Sequence, residues 1–250
     1  MAMISTQEFL DSITEGCRAV PSSEIARASV PGKNEAIFRD LTQNALTRAR
    51  HDWLVTTEWE TPKAALERWR VAWPTEDRAK GKVDLVAVPL QDPFSPSPTF
   101  AAEFKFWYWY DALDRSKYLG TPKNYKNFIS QSFRMDATKL CAVVPHESGV
   151  RLIATIIPTF HLESTTKDSQ DATMKFLESS GVKYRDNVKK ALSNYPGSSL
   201  DNRPTALEKI STYFEAEGCP SIVGGGIVGT FNNVTVTTDF VVTEVPHTYK

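Results

Sequence analysis

The sequence predicts an α/β fold in which a central mixed β-sheet is flanked by helices, with extra helices and a β-hairpin at the C-terminal end. Three observations lead to it. Apolar, β-rich runs recur at Trp53–Trp59, Val83–Val88, Thr99–Trp107, Cys141–Val144 and Val150–Ile157. Stretches of helical spacing separate and flank them. The Gly-, Val- and Thr-rich segment Ser221–Val245 carries Asn232-Asn233 at its centre, a pair that suits a hairpin turn.

Taken in order, Ser5 to Val20 places Phe9, Leu10, Ile13 and Cys17 on one helical side, and Ser5 with Glu8 fits a capping box. Pro21 to Gly32, with two prolines and short polar residues, reads as a linker. A second helix is expected over Lys33–Arg50, with Ile37, Leu41, Ala45 and Leu46 as its stripe and Glu35 in its first turn. Lys63–Lys82 reads as a helix followed by a polar loop, with six basic residues against three acidic ones. Pro89–Pro98 holds four prolines in ten positions, so it connects strands and belongs to neither. Ala112–Leu140 is again basic, six residues against two, with helical spacing from Tyr125 to Lys139. Helices are expected at Asp168–Ser193 and Pro204–Glu217. A division follows: an N-terminal helix and linker over 1–32, a core over 33–165, and an elaboration over 166–250.

At 250 residues and a net charge of −1, any binding of nucleic acid must come from local patches. No apolar run approaches the roughly 20 residues that span a bilayer, so no membrane partner is expected. The acids near the N-terminus argue against a signal peptide. Three scattered cysteines, Cys17, Cys141 and Cys219, suit neither a disulfide framework nor a cysteine-rich zinc site, and a reducing cytoplasm is the natural inference. Gly224, Gly226 and Gly229 satisfy G-x-G-x-x-G, but a strand and turn follow where a dinucleotide site needs a helix. The four histidines show no zinc-ligand spacing.

The stretch Thr99–Trp107 is the informative one. It reads as a buried strand, yet carries Glu103 and Lys105, whose i, i+2 spacing puts them on one face. Charges are rarely sited in such a strand without a partner or a task. Asp84 opens the preceding run, and pairing the two runs as a hairpin would gather Asp84, Glu103 and Lys105. The bland alternative is an exposed ion pair on an edge strand.

With that succession of helix, strands, helix and strand, the chain resembles the PD-(D/E)XK nuclease superfamily. Asp84 matches the first acid, Glu103-Phe104-Lys105 matches the (D/E)XK triplet, and Glu35 matches the acid that many members carry on the preceding helix. The likeness covers about 33–144, and Val83 stands where the motif has proline. It implies a restriction-endonuclease-like fold and Mg²⁺-dependent endonuclease activity on phosphodiesters, on DNA ahead of RNA, with a homodimer as the common form. Mg²⁺, with Mn²⁺ as the alternative, would be held by Asp84, Glu103 and the Phe104 main-chain carbonyl. Lys105 would orient or deprotonate the attacking water, and Glu35 would complete the metal shell or hold a second ion.

The chemistry gives these residue types their own reason: a hard cation on carboxylates stabilises charge on phosphate oxygens and activates water. Arg78 and Lys80 in the first basic segment, and Lys117, Lys123, Lys126 and Gln131 in the second, are the candidate nucleic-acid contacts. The aromatic run from Phe106 to Tyr110 is read as core ahead of base stacking. Two competitors remain, a non-catalytic nucleic-acid-binding module that keeps the fold and a metal-dependent enzyme acting on a small phosphorylated substrate.

Overall fold

The computed structural model describes residues 2–29, 34–72, 81–91, 98–107, 132–161, 199–231 and 234–249. Their elements are α1 (Thr6–Arg18), α2 (Ser22–Ser29), α3 (Glu35–Ala49), β1 (Trp53–Glu60), α4 (Lys63–Ala72), β2 (Lys82–Pro89), β3 (Phe100–Phe106), α5 (Arg134–Val143), β4 (Val150–Phe160), α6 (Ser199–Ala216), β5 (Ser221–Phe231) and β6 (Val234–Glu244).

The strands form one six-stranded mixed sheet in the order β1-β2-β3-β4-β6-β5. The pairs β1–β2, β2–β3, β4–β6 and β5–β6 are antiparallel, and β3–β4 is parallel. The expected α/β class with a helix-flanked mixed sheet is thus observed. The C-terminal hairpin belongs to that same sheet, because β6 pairs with β4 from Leu152↔Glu244 to Phe160↔Val236.

Strand alternation sends each run to two cores. Phe100, Ala102 and Phe104 of β3 join Phe9 and Ile13 of α1, Ile25 of α2 and Phe38 of α3 on one side. Ala101 of β3 faces the other side, where Ala65 of α4, Leu140 of α5 and Phe214 of α6 pack with Ile153 and Ile157 of β4. Phe9 lies 5.4 Å from Phe100 and 5.9 Å from Phe104, ring centre to ring centre, which fastens α1 to the strand that carries the charges.

Three expectations need correction. Residues 22–29 of the supposed linker are α2, because Ile25, Ala26 and Ala28 have a sheet to cover and are buried on it. Glycine at 229 permits that approach: a Cβ there would stand 2.4 Å from the Ser22 carbonyl oxygen. Cys141–Val143 ends helix α5 and is no strand, since tertiary packing of Leu140 and Val143 outweighs the β preference of the valines. In α3 the buried stripe is Phe38, Thr42, Ala45 and Leu46, and Ile37 is exposed.

The end of α1 is capped as expected on one arm only. The Ser5 hydroxyl accepts from the Glu8 amide at 3.1 Å, but the Glu8 carboxylate turns away to Arg50, 3.1 Å from its Nη1. Ser5→Ala is therefore expected to lower stability by about 1 kcal/mol, read as an earlier midpoint in urea at an unchanged slope.

Helix α6 starts at Ser199, upstream of the expected Pro204, and takes that proline into its own length. The expected helix at Asp168–Ser193, the Asn232-Asn233 turn, and Tyr108 to Tyr110 of the aromatic run lie outside the described residues. Trp107 is buried and stacks on Tyr213 at 6.0 Å, as a core residue does. Among the described residues no helix is long and apolar enough to cross a membrane.

Candidate functional site

The antiparallel ladder between β2 and β3 runs through Ala87↔Phe100, Val86↔Ala101 and Leu85↔Ala102. One position further, where Asp84 stands opposite Glu103 by count, a side chain takes the ladder's place. Asp84 Oδ2 accepts the Phe104 amide at 2.8 Å. Glu35, at the start of α3, does the same for the next outward-turned amide of the strand, its Oε1 accepting from Phe106 at 3.1 Å. Two acids from two elements therefore grip the backbone on either side of Lys105. The structure brings Glu35, Asp84, Glu103 and Lys105 into one neighbourhood.

Glu103 and Lys105 share the α5 side of the sheet, and each finds its counter-charge on that helix. Lys139 Nζ lies 2.5 Å from Glu103 Oε1, and Asp136 Oδ2 lies 3.0 Å from Lys105 Nζ. Lys139 also reaches Asp136 Oδ1 at 3.4 Å and donates to the Lys82 carbonyl at 3.1 Å, with its charge 6.0 Å above the Trp69 ring. The order of contact is Lys105, Asp136, Lys139, Glu103, alternating in sign. Glu103 and Asp136 are 2% and 1% exposed.

Burial pushes the Glu103 carboxyl well above the ordinary carboxylate range, against the pull of Lys139. Burial alone would lower Lys105, but Asp136, then Glu103 and Glu35, outweigh it and hold the ammonium above its usual value. Lys139 is raised in the same way, with Glu103 and Asp136 outweighing burial. Glu35 is raised by burial and moderated by Lys105. The arrangement sets carboxylate oxygens beside fixed positive charges within the fold.

A third charge system borders Asp84. Arg39, one helical turn from Glu35 on α3, lies 4.0 Å by Nη1 from Asp84 Oδ1 and 2.9 Å by Nε from Asp40. The same Nη1 also meets Glu58 of β1. Glu58 also meets Lys82 at 3.4 Å. The β1–β2 register passes from Thr57↔Leu85 to Trp59↔Val83, so Glu58 stands opposite Asp84 by count. It is the one non-glycine residue with positive φ among those described, at +52°, a conformation that costs about 1 kcal/mol or more away from glycine and asparagine.

The donor set fits Mg²⁺ in kind, since it is all oxygen, and the buried Glu103 Oε1 and Asp136 Oδ2 receive no directed hydrogen bond beyond their ammonium contacts. Among the described residues, however, no three His, Cys, Asp or Glu side chains stand together as a metal-holding group. Phe104 contributes its amide to Asp84, and its side chain is buried in the α1 core.

The proposed contacts Arg78, Lys80, Lys117, Lys123, Lys126 and Gln131 lie outside the described residues. Sequence reasoning missed Arg39 and Glu58, and counted Asp136 and Lys139 only within the charge tally of a basic segment. Lys139 is in fact interior. The signal available for α5 was an acid and a base at i, i+3 on an otherwise apolar helix, Met135 to Val143.

Gly224 and Gly226 of the glycine motif serve β5 instead. Gly225 and Gly226 have φ of +107° and +66° at a register shift, and the Gly226 amide donates to Asp239, which Arg203 also grips with both ends of its guanidinium. Compared with known proteins, the chain matches no family model, no curated protein and no solved structure.

Proposed function

We propose that the chain is a Mg²⁺-dependent endonuclease with a restriction-endonuclease-like fold, acting on DNA, with Glu35, Asp84, Glu103 and Lys105 as its working residues. The observation that carries this reading is the pair of acids, Asp84 and Glu35, anchored on successive free amides of the strand that bears Glu103 and Lys105. A structural ion pair on an edge strand needs none of that convergence.

In this reading the oxygens of Asp84 and Glu103, with the Phe104 carbonyl, would hold Mg²⁺, whose chemistry is to polarise a phosphoryl oxygen and lower the pKa of water. Lys105 contributes a fixed positive charge beside the phosphate and orients the attacking water. That water's oxygen bonds to phosphorus as the bond to the leaving oxygen breaks, and a proton ends on the leaving oxygen. Asp136 holds Lys105 in line for this from the helix side. Glu35 fixes the end of β3 and completes the negative field. Two copies of the chain would serve the two strands of a duplex.

A second reading has an observation of its own. Glu103 and Lys105 are each already matched by Lys139 and Asp136, as they would be in a nucleic-acid-binding module that keeps the fold without cleavage. Incubation of plasmid, single-stranded DNA and RNA with Mg²⁺, with EDTA, and with Asp84→Asn separates the two. Cutting that needs Mg²⁺ and Asp84 is the expected result. Binding that weakens steeply with salt, and no cutting of any substrate, would replace the nuclease by the binding module.

A further inference from the structure

We infer that Glu58 is a positioning residue that holds the Arg39 guanidinium off Asp84, and so keeps one Asp84 oxygen open to a divalent cation. The inference rests on the reading of Asp84 as a cation ligand. Asp84 Oδ2 already accepts the Phe104 amide, which leaves Oδ1 as the less encumbered oxygen for a ligand. Oδ1 is also the oxygen that Arg39 faces, at 4.0 Å, about an ångström beyond a direct charge-assisted hydrogen bond.

Arg39 is nearly buried, with 11% of its side chain exposed, so solvent does not hold it away. What restrains it is Glu58, on the same Nη1 that faces Asp84, with Asp40 on Nε. Remove the Glu58 carboxylate and Nη1 has one acid left to meet. Arg39 then closes on Oδ1, and both oxygens of Asp84 are occupied from within the protein.

The backbone at Glu58 points the same way. A glutamate at φ +52° is disfavoured where glycine would be at ease, and it stands opposite Asp84 in the sheet. Glu58 is about half exposed while Arg39 is nearly buried, so the carboxylate stands at the solvent edge of the guanidinium that faces Asp84.

The test uses the full chain as wild type, Glu58→Gly, Arg39→Met, the double variant and Asp84→Asn. Each is titrated with Mn²⁺ by calorimetry and melted in EDTA. Glu58→Gly is expected to melt within about 2 °C of wild type, because glycine accepts the positive φ, yet to bind Mn²⁺ at least fivefold more weakly. Adding Arg39→Met is expected to return the affinity to within twofold of wild type. Glu58→Gly binding Mn²⁺ as tightly as wild type would overturn the inference, as would weakened binding that Arg39→Met leaves unrepaired. Mn²⁺ binding that is indifferent to Asp84→Asn would remove the metal reading itself, and the inference with it.

Discussion

Lys139→Met is expected to lower the stability of the chain by roughly 3–5 kcal/mol, the cost of leaving a buried ion without its partner. Lys139 is a buried lysine whose ammonium meets Glu103, Asp136 and the Lys82 carbonyl, and no solvent stands ready to replace it at Glu103. Methionine keeps the packing on Trp69 and removes only the charge. Asp136 retains Lys105, so the deficit falls on Glu103. For a domain of this length the melting temperature is expected to drop by about 10 °C. Glu103→Gln in the same chain should recover most of that loss, because a neutral pair of similar volume carries no uncompensated charge. Additive losses in the double variant would show that Lys139 stabilises by packing, and that its contact with Glu103 contributes little.

Lys105→Ala is expected to reduce cleavage by roughly two to three orders of magnitude while leaving the melting temperature within a few degrees, the range found when one preorganised charge is removed from a reacting centre. Lys105 is partly exposed, unlike Glu103, and points its charge toward Asp136 at the end of the buried cluster. Its loss leaves Asp136 with Lys139 as a counter-charge, so the fold tolerates it. Arginine should not substitute, since a planar fork cannot reproduce a compact ammonium at one point. The decisive comparison is single-turnover cleavage under saturating Mg²⁺ beside nucleic-acid affinity in Ca²⁺. A fall in affinity that accounts for the whole loss would make Lys105 a binding residue.

Much of the site could be read from the chain because strand geometry leaves few choices. Once Thr99–Trp107 is a strand, Glu103 and Lys105 must share a face, and a hairpin with the preceding run must bring Asp84 close. What could not be read are groups whose meaning depends on the opposite surface. Lys139 and Asp136 have the composition of a solvated helix face, and only the charged patch on β3 beneath them makes their burial favourable. Glu58 gives no sign in sequence that its backbone is left-handed. The segment 22–29 is similar: its serines and neighbouring proline suggest a connector, and the demand for helix comes from β5, which lies far away in sequence.

The place of the C-terminal hairpin in the sheet bears on how the chain can be handled. β4 lies between β3 and β6, is buried along nearly its whole length, and is paired with β6 at nine consecutive positions. A fragment ending near residue 165 would keep Glu35, Asp84, Glu103 and Lys105. It would also turn β4 into a long, apolar edge strand with an unmatched row of amides and carbonyls, next to the strand that holds Glu103 and Lys105. Such an edge recruits copies of itself. The excised core would be expected to precipitate on expression, and the last thirty or so residues act, in that sense, as the chaperone that the central strands carry with them.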